Sequence, residues 1–271
     1  MPDDALQRAA ASVDRAPWLA PWREALAALA PLTHADRIAW LDAQAATRDL
    51  RNATGQRLVF APADDAGGAA YEAHIHASGR IPTRAADRDS AHDLFNALVW
   101  LRFPAAKAQL NACQAAVLAA DGVRATRGPA RDAATLIDEN ALLLACRDSA
   151  VVREVDAMLA AHDWNALLRD ARGRARWHAD IVPHAFGHAL LDKLLRPYKA
   201  ITAHARVVHV PNGHDAAQVD AALAAWLATA PVSPRALRPL PVLGIPGWWG
   251  ANEAADFYAD SAVFRPQRHA G

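Results

Sequence analysis

The spacing of apolar residues along the chain predicts a protein built mainly from helices. Over most of its length apolar side chains recur every three or four residues, which gives a helix one face to bury. Thr33 and Asp36 have the spacing of a capping box, and Pro104 suits the first turn of a helix. The predicted helical regions are 4–49, 90–103, 104–114, 149–161, 164–172, 185–195 and 218–230.

Shorter runs with alternating or β-branched residues predict strands between these helices. Residues 57–61 and 201–210 have this character, and residues 71–76 alternate before a Gly-containing turn. Residues 80–83 can form the second strand after that turn, so the pattern predicts a hairpin. Pro82 places this second strand at the edge of a sheet.

A second hairpin is predicted around the tetrapeptide at 138–141. Two short apolar runs flank it, and its Asp and Asn residues favour a turn because their side chains bond to nearby backbone. A single helix over 133–146 is the alternative interpretation. The pattern as a whole predicts a helix-dominated α+β fold whose small sheet, mixed or antiparallel, has about five short strands.

The organisation of the chain indicates one globular domain spanning residues 1–271. It contains no internal repeat and no long linker. Residues 1–50 form a helical N-terminal region, and the Pro-rich tail at 231–271 carries Trp248 and Trp249, whose rings we expect to pack on the core.

Charge and composition narrow the classes of partner. The 271 residues include 29 Lys plus Arg and 29 Asp plus Glu, so the formal net charge is +0. A domain that follows a phosphate backbone usually has a basic excess, so nucleic acid is not the expected partner. The sequence has no run of about 18 apolar residues and its N-terminus is acidic, so we expect neither a membrane span nor a secretory signal. The two cysteines have no CxxC spacing, which fits a reducing cytoplasm. A small-molecule ligand is the expected partner.

Several well-known catalytic motifs are absent from the sequence. It contains no GxSxG, no GxxxxGK[ST] and no dinucleotide-binding glycine pattern. His184 and His188 have the i, i+4 spacing of two ligands on one helix face, but Ala185 stands where an HExxH metalloprotease has Glu. Metalloproteases of that type are therefore excluded.

Polar residues that suit acid–base chemistry occur in separate segments. His92 and Asp93 open a predicted helix, with Asn96 one turn further along. Imidazoles and carboxylates also occur near 132–139, near 188 and near 204, and together they suit general acid–base work or metal binding. The predicted catalytic residues are His92, Asp93, Asp132, His188 and His204; the predicted substrate-binding residues are Arg84, Asn96 and Arg131; the candidate metal ligands are His188, His204 and Asp138.

An ordered series of segments in the chain resembles one particular family. They include Ile81-Pro-Thr-Arg84, His92-Asp-Leu-Phe-Asn-Ala-Leu-Val-Trp100, Phe186-Gly-His-Ala-Leu-Leu191 and Pro241-Val-Leu-Gly-Ile-Pro-Gly-Trp248. Together they are similar to a bacterial family catalogued as domain of unknown function 3025, over nearly the whole chain. The resemblance implies a single bacterial domain with its polar residues concentrated in particular segments, and it names no reaction. This chain has Ala141 where the family pattern has Gly, which disfavours a hairpin because Ala seldom adopts positive φ.

Three functional hypotheses follow. The first is a hydrolase that uses the His and Asp residues around a divalent metal or an activated water. The second is a non-catalytic binding or scaffold protein, in which Arg84, Asp93, Arg131 and Asp138 form a structural network. The third is a nuclease of the ββα-metal type, suggested by a hairpin followed by a helix that starts with His.

Overall fold

Helices form the first part of the chain in the computed structural model, which describes residues 5–63, 70–84, 90–121, 128–229 and 232–267. Thr33 caps the start of one of them, since its Oγ1 accepts a hydrogen bond from the backbone N–H of Asp36 at 3.3 Å. The elements are α1 (Ala5–Ser12), a 3₁₀ helix (Pro17–Trp22), α2 (Arg23–Leu29) and α3 (His34–Thr47). The predicted helical region is confirmed from Ala5 onward, and position 4 lies outside the described residues.

The first predicted hairpin is wrong. Strands β1 (Val59–Pro62) and β2 (Arg80–Thr83) do pair, but they are parallel, and helix α4 (Tyr71–Ser78) connects them. Parallel neighbours cannot be joined by a tight turn, so the intervening segment has to cross over. Gly79 ends α4 with φ 73°, a left-handed conformation that stops a helix and that glycine adopts without strain.

Two long helices follow as predicted. Helix α5 (Ser90–Arg102) ends just before Phe103, and α6 (Pro104–Asp121) starts with the proline that suits its first turn. The backbone N–H groups of Ala105 and Ala106 donate to the buried carboxylate of Asp220 at 3.0 and 2.7 Å. This interaction caps the start of α6 from a distant helix.

The second predicted hairpin is also wrong, and so is the single-helix alternative. Helix α7 (Pro129–Asn140) runs directly into strand β3 (Ala141–Cys146) with no turn between them. Every residue of β3 is buried, which explains its continuous apolar sequence: the strand lies inside the sheet and is covered on both faces.

A mixed four-stranded sheet with the order β4-β3-β5-β6 forms the centre of the protein. Its other strands are β4 (Ile181–Ala185), β5 (Thr202–His209) and β6 (Arg238–Pro241). β3 is parallel to β5, whereas the β3–β4 and β5–β6 pairs are antiparallel. The remaining α-helices are α8 (Ser149–Ala161), α9 (Ala171–Ala179), α10 (His188–Lys193) and α11 (Ala216–Thr229). The predicted helix-dominated α+β class is confirmed.

The predicted helix over 185–195 starts later than the sequence pattern indicates. His184 lies in β4 and His188 is the first residue of α10, so the two imidazoles do not share a helix face. Gly187 lies between these two elements and packs closely against the backbone at the junction of α7 and β3. A Cβ at this position would lie 2.5 Å from the backbone nitrogens of Asn140 and Ala141.

The C-terminal tail lies against the core through its aromatic residues. Trp248 is buried with its ring centroid 5.8 Å from that of Trp18, and the Tyr258 hydroxyl donates to the Gly244 carbonyl at 2.9 Å. Among the described helices, none combines the length and apolar character that crossing a bilayer requires.

Candidate metal centre

Three potential metal ligands from three helix ends meet at one point. His92 comes from the first turn of α5, Glu139 from the last turn of α7 and His188 from the start of α10. The Nε2 atoms of the two histidines are 3.0 Å apart, and Glu139 Oε2 is 3.6 Å from that of His188 and 4.0 Å from that of His92. Four ligands around zinc with bonds near 2.05 Å are about 3.3 Å from one another, so the three atoms are close to the positions that a shared ion requires.

Backbone contacts fix the relative positions of Glu139 and His188. The N–H groups of Phe186 and Gly187 both donate to the carbonyl of Ala141, at 3.1 and 2.9 Å. They hold the start of α10 against the junction of α7 and β3. The pairing of β3 with β4 brings the two segments together from the other side.

The site is buried on one side and open on the other. The side chain of His188 is only 4% exposed, whereas those of His92 and Glu139 are each 32% exposed. An ion bound here would have protein ligands on its inner side and room for another ligand on its outer side. Catalytic zinc sites have this arrangement, with three protein ligands and one open position.

The surroundings of His188 keep its imidazole neutral. Burial lowers the pKa of His188 to about 4, and the neighbouring Asp138 opposes this only in part. Nδ1 of His188 faces Asp138, whose Oδ1 is 3.9 Å away. A carboxylate on that side favours a proton on Nδ1, which leaves the lone pair of Nε2 directed at the site.

A buried lysine balances the charge of Asp138. Lys107 Nζ donates to Asp138 Oδ1 at 2.5 Å and to Asn96 Oδ1 at 2.7 Å, and Asn96 Nδ2 donates to the Tyr71 hydroxyl at 2.8 Å. Burial alone would raise the pKa of Asp138, but Lys107 and His188 lower it below its ordinary value. The carboxylate is therefore ionised and held in place beside His188.

Glu139 has no such cation of its own. Its neighbours within 4.0 Å that could carry positive charge are the two histidines, and no Lys or Arg of the described residues pairs with it. Burial and the nearby charge of Asp138 raise the pKa of Glu139. Both effects would be relieved by a bound cation, which makes Glu139 a suitable ligand.

Some of the residues proposed from sequence lie in this cluster and others do not. His92 and His188 contribute to it directly, and Asp138 lies behind His188, paired with Lys107. Asp93 instead forms a two-bond ion pair with Arg84, at 2.9 Å for each bond. The other proposed residues lie outside the cluster. Asp132 is exposed in the first turn of α7, and His204 of β5 pairs with Ala141 of β3. Asn96 bonds to Lys107 and Tyr71, and Arg131 lines a neighbouring cavity.

Sequence reasoning missed two important residues. From sequence alone Glu139 forms, with Asp138, a carboxylate pair that could hold a divalent cation, but a turn is preferred there and Glu139 is not among the proposed site residues. Arg131, Thr135 and Glu139 nevertheless have the four-residue spacing of one helix face. No role at the site is expected for Lys107 from the sequence. Its rarity was the available signal, since Lys107, Lys193 and Lys199 are the only lysines in an arginine-rich chain.

His184 gives a separate prediction about stability. Burial lowers its pKa to about 4, with a smaller contribution from Arg102, so the folded protein holds it neutral while the unfolded chain protonates near pH 6.5. The free energy of unfolding should fall as the pH drops from about 6.5 towards 4, and this residue accounts for about 1–2 kcal/mol of the loss between pH 7 and 5. We expect His184→Gln to flatten the decline of Tm over that range. Because His188 titrates in the same direction, some slope should remain; an unchanged slope would contradict the assignment to His184.

Comparison with known proteins places most of the chain in one family. Residues 57–268 match the family described as Protein of unknown function (DUF3025), and this range includes all three residues of the cluster. No curated protein and no solved structure matches the chain.

Proposed function

The chain belongs to the family described as Protein of unknown function (DUF3025), and we propose that it is a zinc-dependent hydrolase whose metal is held by His92, Glu139 and His188. The observation that carries the proposal is the convergence of three donor atoms, all within 4.8 Å of one another, at a site with one open side. Two imidazoles and one carboxylate form a ligand set found in zinc hydrolases. A bound zinc ion would polarise a carbonyl group and activate a water for attack on it.

The charges of the cluster support a divalent cation. Lys107 compensates Asp138, and His188 is neutral, so Glu139 supplies one negative charge that nothing in the cluster cancels. A divalent ion on this set leaves a net positive charge at the open side. That charge is what a metal site needs to attract the oxygen of a substrate.

Asp138 and Lys107 act in this proposal as positioning residues. Asp138 lies 3.9 Å from Nδ1 of His188, the ring nitrogen away from the site, and Lys107, which is itself bonded to Asn96, holds that carboxylate in place. The negative charge of Asp138 favours the tautomer of His188 whose unprotonated nitrogen faces the site. The network continues to Tyr71, so it links α4, α5, α6 and α7 behind the metal.

The remaining sequence-based expectations fit the same proposal. The chain has no excess positive charge, so a small molecule is a better substrate than nucleic acid. The nuclease hypothesis loses its basis because residues 71–78 form a helix rather than half of a hairpin. We retain the cytoplasm as the proposed location, on the grounds of cysteine usage and composition.

Elemental analysis and zinc titration of protein purified without a histidine tag test the proposal. We expect one zinc per chain, and we expect His92→Ala and Glu139→Gln to weaken zinc binding by more than about 100-fold, since each removes a ligand. Both side chains are partly exposed, so the variants should stay folded. His178→Ala is the matched control, because His178 is an exposed histidine on α9 outside the cluster. Equal zinc binding by all four proteins would contradict the assigned ligands.

One observation favours the non-catalytic alternative. The bonds from Tyr71 through Asn96 and Lys107 to Asp138 tie four helices together, as a structural network would. In that case His188→Ala should lower stability in a protein that binds no zinc. Thermal unfolding with and without added zinc separates the two functions, because only the metal site raises Tm on zinc addition.

A further inference from the structure

A small polar cavity adjoins the proposed metal site through Glu139. Its volume is about 110 Å³, enough for a few atoms of a ligand or several waters. Helix α7 forms one wall, and α4 and α6 form the other. The lining residues are Glu72, Gln114, Leu118, Arg131, Thr135 and Glu139.

Arg131 and Glu139 stand at opposite ends of the α7 wall. They are eight residues apart, with Thr135 midway, so all three point from the same face of the helix. The rise of an α-helix places their Cα atoms about 12 Å apart. A molecule with one end at the metal can therefore extend along this wall towards the guanidinium group.

Arg131 has no charged partner among the residues that the structure describes. Its side chain makes no hydrogen bond or ion pair with any described residue, although the carboxylate of Glu72 lines the same cavity. A guanidinium group remains charged at any physiological pH and presents parallel donors that match a carboxylate. The wall of the cavity thus offers an unused site for an anion.

The direction of α7 agrees with this arrangement. Arg131 lies in the first turn, where the helix dipole favours an anion, and Glu139 lies in the last turn, where the dipole favours a cation. Glu72 on the opposite wall adds a negative charge that disfavours a doubly charged phosphate. A singly charged carboxylate suits the cavity better.

From these observations we infer that the substrate of the metal site carries a carboxylate, and that Arg131 binds this group while the bond to be cleaved lies at the metal. This inference rests on the proposed function and adds the chemical class of the substrate. It makes Arg131 a determinant of specificity that takes no part in holding the metal.

Calorimetric titration of the zinc-loaded protein tests the inference with acetate, a series of dicarboxylates from succinate to suberate, and inorganic phosphate. We expect at least one dicarboxylate to bind about tenfold or more tighter than acetate and phosphate, because only a dicarboxylate reaches both the metal and Arg131. Arg131→Gln should abolish this preference without changing zinc affinity, and Arg131→Lys should retain part of it. Arg153→Gln, at an exposed arginine on α8, is the control and should behave as the wild type.

The outcomes distinguish the two proposals. A dicarboxylate preference that survives in Arg131→Gln, or no preference at all, overturns the role of Arg131 while zinc binding stands. Tighter binding of phosphate that depends on Arg131 overturns the carboxylate class. Absence of zinc binding in the preliminary titration overturns the proposed function, and this inference with it.

Discussion

Replacement of Lys107 by methionine is expected to lower the free energy of unfolding by about 3–5 kcal/mol. Lys107 is 4% exposed and pairs with Asp138, which is itself 16% exposed. Methionine matches the length of the lysine stem but leaves the carboxylate ionised and without its cation. Removing one partner of a buried pair costs more than the pair contributes, because the remaining charge stays desolvated. Chemical denaturation at pH 7 measures the effect.

Two further variants make this prediction specific. Lys193→Met removes another lysine that bonds to α7, through Asn140 Oδ1 at 2.9 Å, but its side chain is exposed and the loss should stay within about 1 kcal/mol. The double variant Lys107→Met, Asp138→Leu removes both charges and should recover most of the stability lost by the single change. Equal losses of unfolding free energy for Lys107→Met and Lys193→Met would show that the buried Lys107–Asp138 pair does not contribute to stability.

Gly187→Ala is expected to reduce both stability and zinc affinity. The added Cβ would lie 2.5 Å from the backbone nitrogens of Asn140 and Ala141, and backbone atoms cannot move aside as a flexible side chain can. We expect a loss of about 3 kcal/mol, at the upper end of the usual cost of overpacking. Zinc affinity should fall at least about tenfold, because α10 carries His188 and α7 carries Glu139, and the substitution pushes these helices apart.

Gly250→Ala is the matched control for this variant, since a Cβ at Gly250 meets nothing within 4 Å. Denaturation and zinc titration of the two variants under the same conditions check the prediction. If Gly187→Ala kept wild-type zinc affinity, the contact between α10 and the α7–β3 junction would not determine the geometry of the site.

The elements that could be predicted from sequence are those with strong local signals. Helix α8 spans the predicted residues, and Pro104 marks the start of α6. Residues 71–76 alternate like a strand, but they belong to a helix in which Ile75 is the one buried residue and which Gly79 stops. At 138–141 the residues favour a turn, but burial of β3 on both faces decides the conformation.

The candidate site could be predicted only in part, for a related reason. His92 and His188 stood out by residue type, yet they are 96 positions apart in the sequence, and nothing local indicates that they touch. The roles of Glu139 and Lys107 depend entirely on which helix ends meet. Asp132 has the same chemistry as Asp138, but it lies at the opposite end of α7. Tertiary packing distinguishes these carboxylates, and sequence spacing does not.

The parallel pairing of β3 with β5 has a consequence for how the protein folds. Ala141 pairs with His204, so the centre of the sheet can form only after a long intervening segment has been closed into a loop. Such non-local pairing slows folding, even in a chain with many helices. Glu139 lies two residues before β3, and β4 leads into His188, so both ligands reach their places in this slow step. The helices can form early, but the metal site is completed only when the central strands pair.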